Sequence, residues 1–578
     1  MSNKTDLEMQ KELGEAPEWL DEVGYKTLAS GYLQDLSETK KETVNEAITR
    51  VCHSVSSYLN KPQLESLFKE ATMRNWLCYA SPIWSNAGTA RGLPISCNSI
   101  HVGDSVSSIF KKNTELAMLT KFGAGVGIYM GDVRSRGVNI TGNGKSEGII
   151  PWLKVLEVTT NSVSQGSTRR GATATYVPAT HGDIKDFLLI RRATGDHNMR
   201  ARNMNIGVCI SDQFLQEADD GNKHNRELWH DILKERFEQG EPYLLFTDNA
   251  NRQKPESYVK NNLDIKTSNI CNEIYQYTDP DHTFVCCLSS LNLDRYDEWK
   301  DFKFSNGMTL PELSTWFLDG IMSEYIDKAQ HIEHFECSVR SAIKGRALGL
   351  GVLGFHSYLQ RHMVDMEGFE AFKINNEIFK FINEQSLKAS QDMAVEYGEP
   401  EWCKGLGVRN TLRTAVAPTA TNSTISGGVS PGIEPIAQNL INLKSAKGNF
   451  EKYNRDLKKL LVEKGLDTQE TWTKIINDNG SVKNIKQLSK EEKEVFKTAR
   501  EMNQHTLIKL ASQRQKYIDQ GQSLNLFFTS NCDARYLTEV HRAAHSEGLK
   551  GLYYCRSTSV LSSSASYRSP DECIACEG

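Results

Sequence analysis

An α/β fold, preceded by a helical region and followed by a polar tail, is what this sequence predicts. Three patterns carry that expectation. Between Glu15 and Asn60 apolar and charged residues recur at helical spacing, as in VNEAITRVCHSVSSYL. From 81 to 250 strand-like and helix-like stretches alternate. The C-terminal stretch STSVLSSSASYRSPDECIACEG is Ser-rich and has little to bury. The expected organisation is a helical region over 1–80, an α/β core over 81–555 and a mobile tail over 556–578.

In chain order, GIIPWLKVLEVTTNSV starts a helix at its proline, and GATATYVPA alternates as a strand. Residues 312–400 read as strongly helical. They include GRALGLGVLGFHSYL, so Gly349-x-Gly351-x-x-Gly354 has no strand before it and is rejected as a dinucleotide-binding fingerprint. The Lys/Glu-rich segment 444–520 (NRDLKKLLVEKG, SKEEKEVFKTAREM) reads as a solvated helical face and is assigned no chemistry. No internal repeat is visible.

Composition narrows the function. With 578 residues, 39% hydrophobic and 24% charged, the chain suits a large catalytic core with appendages. No run of about 18 apolar residues could cross a bilayer, so a soluble protein without a membrane partner is expected. The N-terminus MSNKTDLEMQKELGEAPEWL lacks the basic start and apolar middle of a secretory signal, which points to the cytoplasm. A net charge of −5 gives no overall attraction to nucleic acid. The 13 cysteines, odd in number and unevenly spaced, do not form a secreted disulfide framework.

The chemistry-bearing stretches are short. SNICNEI, residues 268–274, sets Cys271 two residues after Asn269 and two before Glu273. A buried structural cysteine beside a turn and a reactive sulfur between hydrogen-bonding partners both fit it. Cys573 and Cys576 form C-x-x-C on the tail, far from the nearest histidine, His545, so redox exchange fits better than zinc. Cys97 in PISCNSIHVGDS and the neighbours Cys286 and Cys287 in FVCCLSSLNLD suit small buried hydrophobes when taken singly. FGAGVGIYMG lies between helix-like and strand-like runs, where small residues let backbone approach a ligand. APTATNSTISGGVSPGIEP offers clustered hydroxyls and backbone N–H groups of the kind that hold phosphate. Tyr553 and Tyr554 in GLYYCRS suit an aromatic pair on a strand.

In this order along most of the chain, these stretches, together with QSLNLFF, resemble the large catalytic subunit of class I ribonucleotide reductases. The resemblance implies a ten-stranded α/β barrel of two five-stranded halves with a central finger loop. It also implies reduction of ribonucleoside diphosphates to deoxyribonucleoside diphosphates. Cys271 matches the cysteine that becomes a thiyl radical, Glu273 the base on the 3′-hydroxyl and Asn269 a hydrogen bond to the sugar. An extended loop with alternate residues on one side would let the three converge. Cys97 and Cys286 match the pair that supplies two reducing equivalents. Cys286 is chosen over Cys287 by the Cys-x-Leu-x-x-x-Asn-Leu spacing. Cys573 and Cys576 match the tail pair that reduces the resulting disulfide and is itself reduced by thioredoxin or glutaredoxin.

Tyr553 and Tyr554 match the stepping-stones for a radical delivered by a metal-containing small subunit. That matching separates the chain from the cobalamin-dependent reductases, and CIACEG lacks the glycyl-radical motif of the anaerobic class. No metal and no cofactor are expected on this chain itself. Substrate is expected at Ser81, Ser96, Gly125, Pro418, Thr419, Ala420, Thr421 and Asn422, with Ala420 less polar than its counterpart in some members. A deoxynucleoside triphosphate or ATP effector is expected near Asp104 and Arg134 in a homodimer. The loop from Gly195 to Met204, with Arg200 and Arg202, would relay its identity. Only 80 residues precede Ser81, too few for the N-terminal ATP cone of longer members, so dATP shut-off is expected to be missing. A regulatory homologue without chemistry is the competing reading. It would lack the radical cysteine, the base or the tyrosines, all of which are present here.

Overall fold

The computed structural model describes residues 4–557 apart from 39, 143, 166–168 and 446–447, so Cys573 and Cys576 lie outside the described residues. Helices Asp6–Glu12, Glu22–Gly31, Val44–Tyr58 and Glu65–Met73 build the N-terminal region. Thr43 and Glu46 close a capping box at the start of Val44–Tyr58. Its buried residues Val44, Ala47, Ile48, Val51 and Val55 follow helical spacing. That face rests on the helix Leu310–Ala329, where Gly320 lies against Val55.

Among the described residues nine strands join in one sheet: β1 (Leu77–Tyr79), β2 (Cys97–His101), β3 (Gly125–Tyr129), β4 (Ala172–Pro178), β5 (Asn205–Ile210), β6 (Tyr243–Phe246), β7 (Phe284–Asn292), β8 (Leu348–Leu353) and β9 (Gly551–Leu552). Strands β2 to β6 are parallel neighbours in sequence order, the first five-stranded half of the barrel. They read as near-continuous apolar runs because helices such as Val106–Lys121 and Ile150–Ser162 cover the sheet. β7 runs antiparallel to β2 and opens the second half, with β8 parallel to it. Beyond β8 the half continues through parallel bridges Leu350 to Thr414 and Val416 to Gln522.

Two expectations are corrected here. GLGVL is strand β8, not helix, followed by Gly354 at φ 82° and the helix Phe355–Arg361. The fingerprint still takes no nucleotide, because a Cβ at Gly349 would meet Leu288 and Cys286 and one at Gly351 the carbonyl of Ala415. Both glycines serve close contact inside the sheet. The charged segment 444–520 is also more than a solvated face. Leu457, Leu461, Trp472, Ile475, Val482, Ile485, Leu488 and Phe496 form a separate apolar cluster, joined to the barrel by Arg455 and Asp294 at 2.7 Å.

Candidate active site

The SNICNEI loop, residues 268–274, sits beside the first half of the barrel. It turns tightly rather than extending: Asn272 N–H donates to the Asn269 carbonyl at 3.3 Å, and Asn272 has φ 58°. Asparagine tolerates that left-handed conformation better than most residues. The Asn272 amide donates to the Leu244 carbonyl at 2.9 Å and the Leu552 carbonyl at 3.0 Å. The Tyr176 hydroxyl holds the Asn269 carbonyl at 2.6 Å. Gly127 makes room, since a Cβ there would lie 2.0 Å from the Ser268 carbonyl oxygen. Gly127→Ala is therefore expected to displace the loop and lower turnover about 10²-fold with its circular dichroism unchanged. Wild-type activity in that variant would refute this packing argument.

The turn brings the predicted residues together. The Asn269 carbonyl oxygen of its side chain accepts from the N–H of Glu273 at 3.0 Å and of Ile274 at 3.1 Å, and its amide faces Cys97 Sγ at 3.8 Å. Cys97 lies directly opposite Cys286 in the antiparallel β2–β7 ladder, so their side chains share a face. Cys287, one residue on, pairs with Leu348 and points to the other face. Gln520 donates to Cys286 Sγ at 3.3 Å. Burial pushes the Cys286 thiol well above its usual range, keeping it protonated.

Glu273 is fully buried. Ser523 Oγ lies 3.1 Å from its Oε2 and 2.6 Å from the Cys271 carbonyl oxygen, with one hydrogen to give to either, while Oε1 has no hydrogen-bond partner among the described residues. Burial raises its carboxyl to about 7, against the hydrogen bonds from Asn269 and Ser523. Cys271, 3% exposed, shares an apolar cluster with Tyr243, Tyr553 and the partly buried Tyr554. The rings of Tyr553 and Tyr554 have centroids 4.4 Å apart, and Tyr243 contacts both, at 4.8 and 5.0 Å. Arg556 covers the outer Tyr554 ring at 4.3 Å.

The remaining predicted residues lie at several other places. Ser96 accepts the Gly125 N–H at 2.9 Å at the start of β2 and β3. Thr419 has φ 50° and opens the short helix Ala420–Ile425, with its hydroxyl 3.2 Å from that of Ser423 and accepting the Gly432 N–H at 2.7 Å. Asn422 is buried, and Pro418, Ala420 and Thr421 are half-buried. Asp104 and Arg134 pair with each other at 2.8 Å. Arg200 and Arg202 turn back onto carbonyls of their own loop, at Thr194 and Met199 and at Arg192 and Ala193. Among the described residues no group of three or more His, Cys, Asp or Glu side chains could hold a metal ion.

Two family models match: the ribonucleotide reductase barrel domain over residues 95–225, 220–405 and 401–555, and the ribonucleotide reductase all-alpha domain over 18–92. The chain belongs to the ribonucleotide reductase large-subunit family. It is 36% identical over 540 residues to a putative ribonucleoside-diphosphate reductase large subunit of Frog virus 3, covering 90% of this chain and 93% of that one. The large subunit of Invertebrate iridescent virus 3 is 32% identical, with 96% and 98% covered. The solved class Id ribonucleotide reductase alpha subunit of Actinobacillus ureae superposes with a TM-score of 0.86 at 40% identity, covering 94% of this chain and 99% of that one.

Within that reductase framework, residue reading had not singled out Gln520, Ser523, Tyr176, Asn272 or Tyr243. Ser523 lies in QSLNLFF and so carried a motif signal without a role. Tyr243, in EPYLLF, carried none, because its contact with Tyr553 spans more than 300 residues of sequence.

Proposed function

We propose that this chain is the catalytic subunit of a reductase that converts ribonucleoside diphosphates to 2′-deoxyribonucleoside diphosphates for DNA synthesis. Glu273 carries the reading. A fully buried carboxyl near neutrality, with one oxygen unpartnered among the described residues, stands two residues from Cys271 and close enough to Cys286 to push its thiol up. General bases are tuned in this way.

The chemistry then follows from the chain's own groups. An oxidising equivalent from a metal-containing small subunit passes through Tyr554 and Tyr553 and leaves Cys271 as a thiyl radical. The radical takes the 3′ hydrogen atom while Glu273 accepts the 3′-hydroxyl proton. Asn269 orients the sugar. The 2′-hydroxyl leaves as water with a proton from one thiol of the Cys97–Cys286 pair, C2′ gains the hydrogen of the other, and the pair, having given up two electrons, ends as a disulfide. Cys271 returns its hydrogen to C3′. Cys573 and Cys576 restore the thiols by exchange and are re-reduced by thioredoxin or glutaredoxin. The diphosphate rests on Ser81 and the Pro418–Asn422 turn, with Ser96 and Gly125 at the sugar side.

An effector nucleotide binds where Asp104 now pairs Arg134, at the end of the helix Val106–Lys121. Val106 and Phe110 on that helix and Val158 on Ile150–Ser162 are 61%, 49% and 61% exposed. Val106 and Phe110 lie within six residues of Asp104, and exposed apolar side chains on both helices support a homodimer across them. Among the described residues no helix is long and apolar enough to cross a membrane.

The test is CDP reduction with dithiothreitol and ATP. Turnover is expected when a cognate small subunit is added, and none with the chain alone or with adenosylcobalamin. Turnover with adenosylcobalamin alone would overturn the role given to the tyrosines.

A further inference from the structure

The N-terminal arm reaches the residues assigned to the diphosphate. Its helix Glu22–Gly31 packs backbone-close on Ala420–Ile425, because a Cβ at Gly24 would lie 2.9 Å from the Ile425 carbonyl oxygen. Trp19 donates to the Met73 carbonyl at 2.7 Å. A cavity of about 10 Å³, near the size of one water, is walled by Trp19, Trp84, Cys78, Asn422 and Ser426. Beyond the helix the arm turns to the other half of the cradle. The Tyr32 hydroxyl lies 3.0 Å from Ser81 Oγ, both side chains buried, and Gln34 donates to the Ser85 carbonyl at 2.8 Å.

We infer that Tyr32 is a positioning residue for substrate: its phenol donates to Ser81 Oγ and so turns the serine hydroxyl hydrogen toward the substrate's diphosphate. This rests on the assignment of Ser81 to that diphosphate. The direction of the bond follows from acidity. A phenol is far more acidic than a serine alcohol and is the better donor, while serine has one hydrogen and two acceptor lone pairs. With Tyr32 donating, the Ser81 hydrogen is left for an anion, and the linked bonds polarise one another. The same arm holds the backbone of Ala420–Ile425 from behind, so a single segment fixes the two sides of the cradle relative to each other.

Tyr32→Phe keeps the ring and removes the donor. With the small subunit present, KM for CDP is expected to rise about five- to tenfold, the loss of one hydrogen bond, with kcat within about twofold. The affinity of the chain for inorganic pyrophosphate, measured by calorimetry without small subunit or turnover, is expected to fall by a similar factor. Ser81→Ala should show the same two changes, and Tyr32→Phe should add nothing to them in the Ser81→Ala background. If Ser81→Ala alters neither KM nor pyrophosphate affinity, the diphosphate assignment fails and the inference with it. If Ser81→Ala weakens both but Tyr32→Phe does nothing, or acts equally in both backgrounds, the assignment stands and the inference is overturned. A Tyr32→Phe variant that changed kcat with KM intact would likewise overturn it.

Discussion

Glu273→Gln is expected to lower CDP turnover roughly 10²–10⁴-fold and, at pH 8, to make the folded chain more stable than wild type. The first effect is the loss of the base. The second follows from the same burial. The carboxyl moves from its ordinary 4.5 to about 7 on folding. A raised carboxyl means that the folded state holds its proton more tightly than the unfolded state, so its stability contribution is present below 4.5 and is lost as pH rises to about 7. At pH 8 the wild-type site therefore carries a destabilisation of ~3 kcal/mol, which falls to ~1 kcal/mol at pH 5. Glutamine escapes it at both. Thermal midpoints of the two proteins should differ clearly at pH 8, with the variant higher, and converge toward pH 5. Wild-type turnover should climb with pH through about 7 as the base loses its proton. A variant less stable than wild type at pH 8 would mean that the carboxylate is solvated, and the argument for its catalytic tuning would go with it.

How much of this was legible in the sequence depends on the range of the interaction involved. Local signals worked where one segment sets its own structure: the helix begun by Pro151, the strand in GATATYVPA and the N-terminal helices all form as spaced. They failed at GRALGLGVLG, where small and branched apolar residues suit either state and pairing with β7 decides for strand. The segment 444–520 hid its apolar cluster because the cluster is gathered from several short helices and loops, each mostly charged when read alone. In the site, Cys271, Glu273 and Asn269 were legible as neighbours, yet the geometry that unites them was not. A tight turn does the work that an extended loop was expected to do, and Asn272, between the cysteine and the glutamate, makes it possible. Cys286 could be preferred to Cys287 only by resemblance until the β2–β7 register placed it opposite Cys97. Tyr32 and Tyr243 act across the fold, and no spacing rule announces them.

Tyr553→Phe is expected to abolish turnover with the small subunit while leaving the fold and pyrophosphate binding intact. Phenylalanine preserves the ring contacts to Tyr554 at 4.4 Å and Tyr243 at 4.8 Å, so packing of the cluster is kept. What disappears is the hydroxyl hydrogen, without which the residue cannot hold a neutral radical on its way inward. The burial gradient gives the direction: Tyr554 is half-buried, Tyr553 is 2% exposed and Cys271 lies in the same cluster at 3%. In the variant the radical signal of the small subunit should persist unchanged when CDP and ATP are added, because oxidation stops at residue 553 before reaching the sulfur. Tyr243→Phe provides the contrast. Its ring lies beside the pair, and the closest of the three ring contacts joins Tyr553 directly to Tyr554, so a relay does not need it and turnover should survive. Loss of turnover in both variants would make Tyr243 part of the relay, whereas retained turnover in Tyr553→Phe would require another route to Cys271.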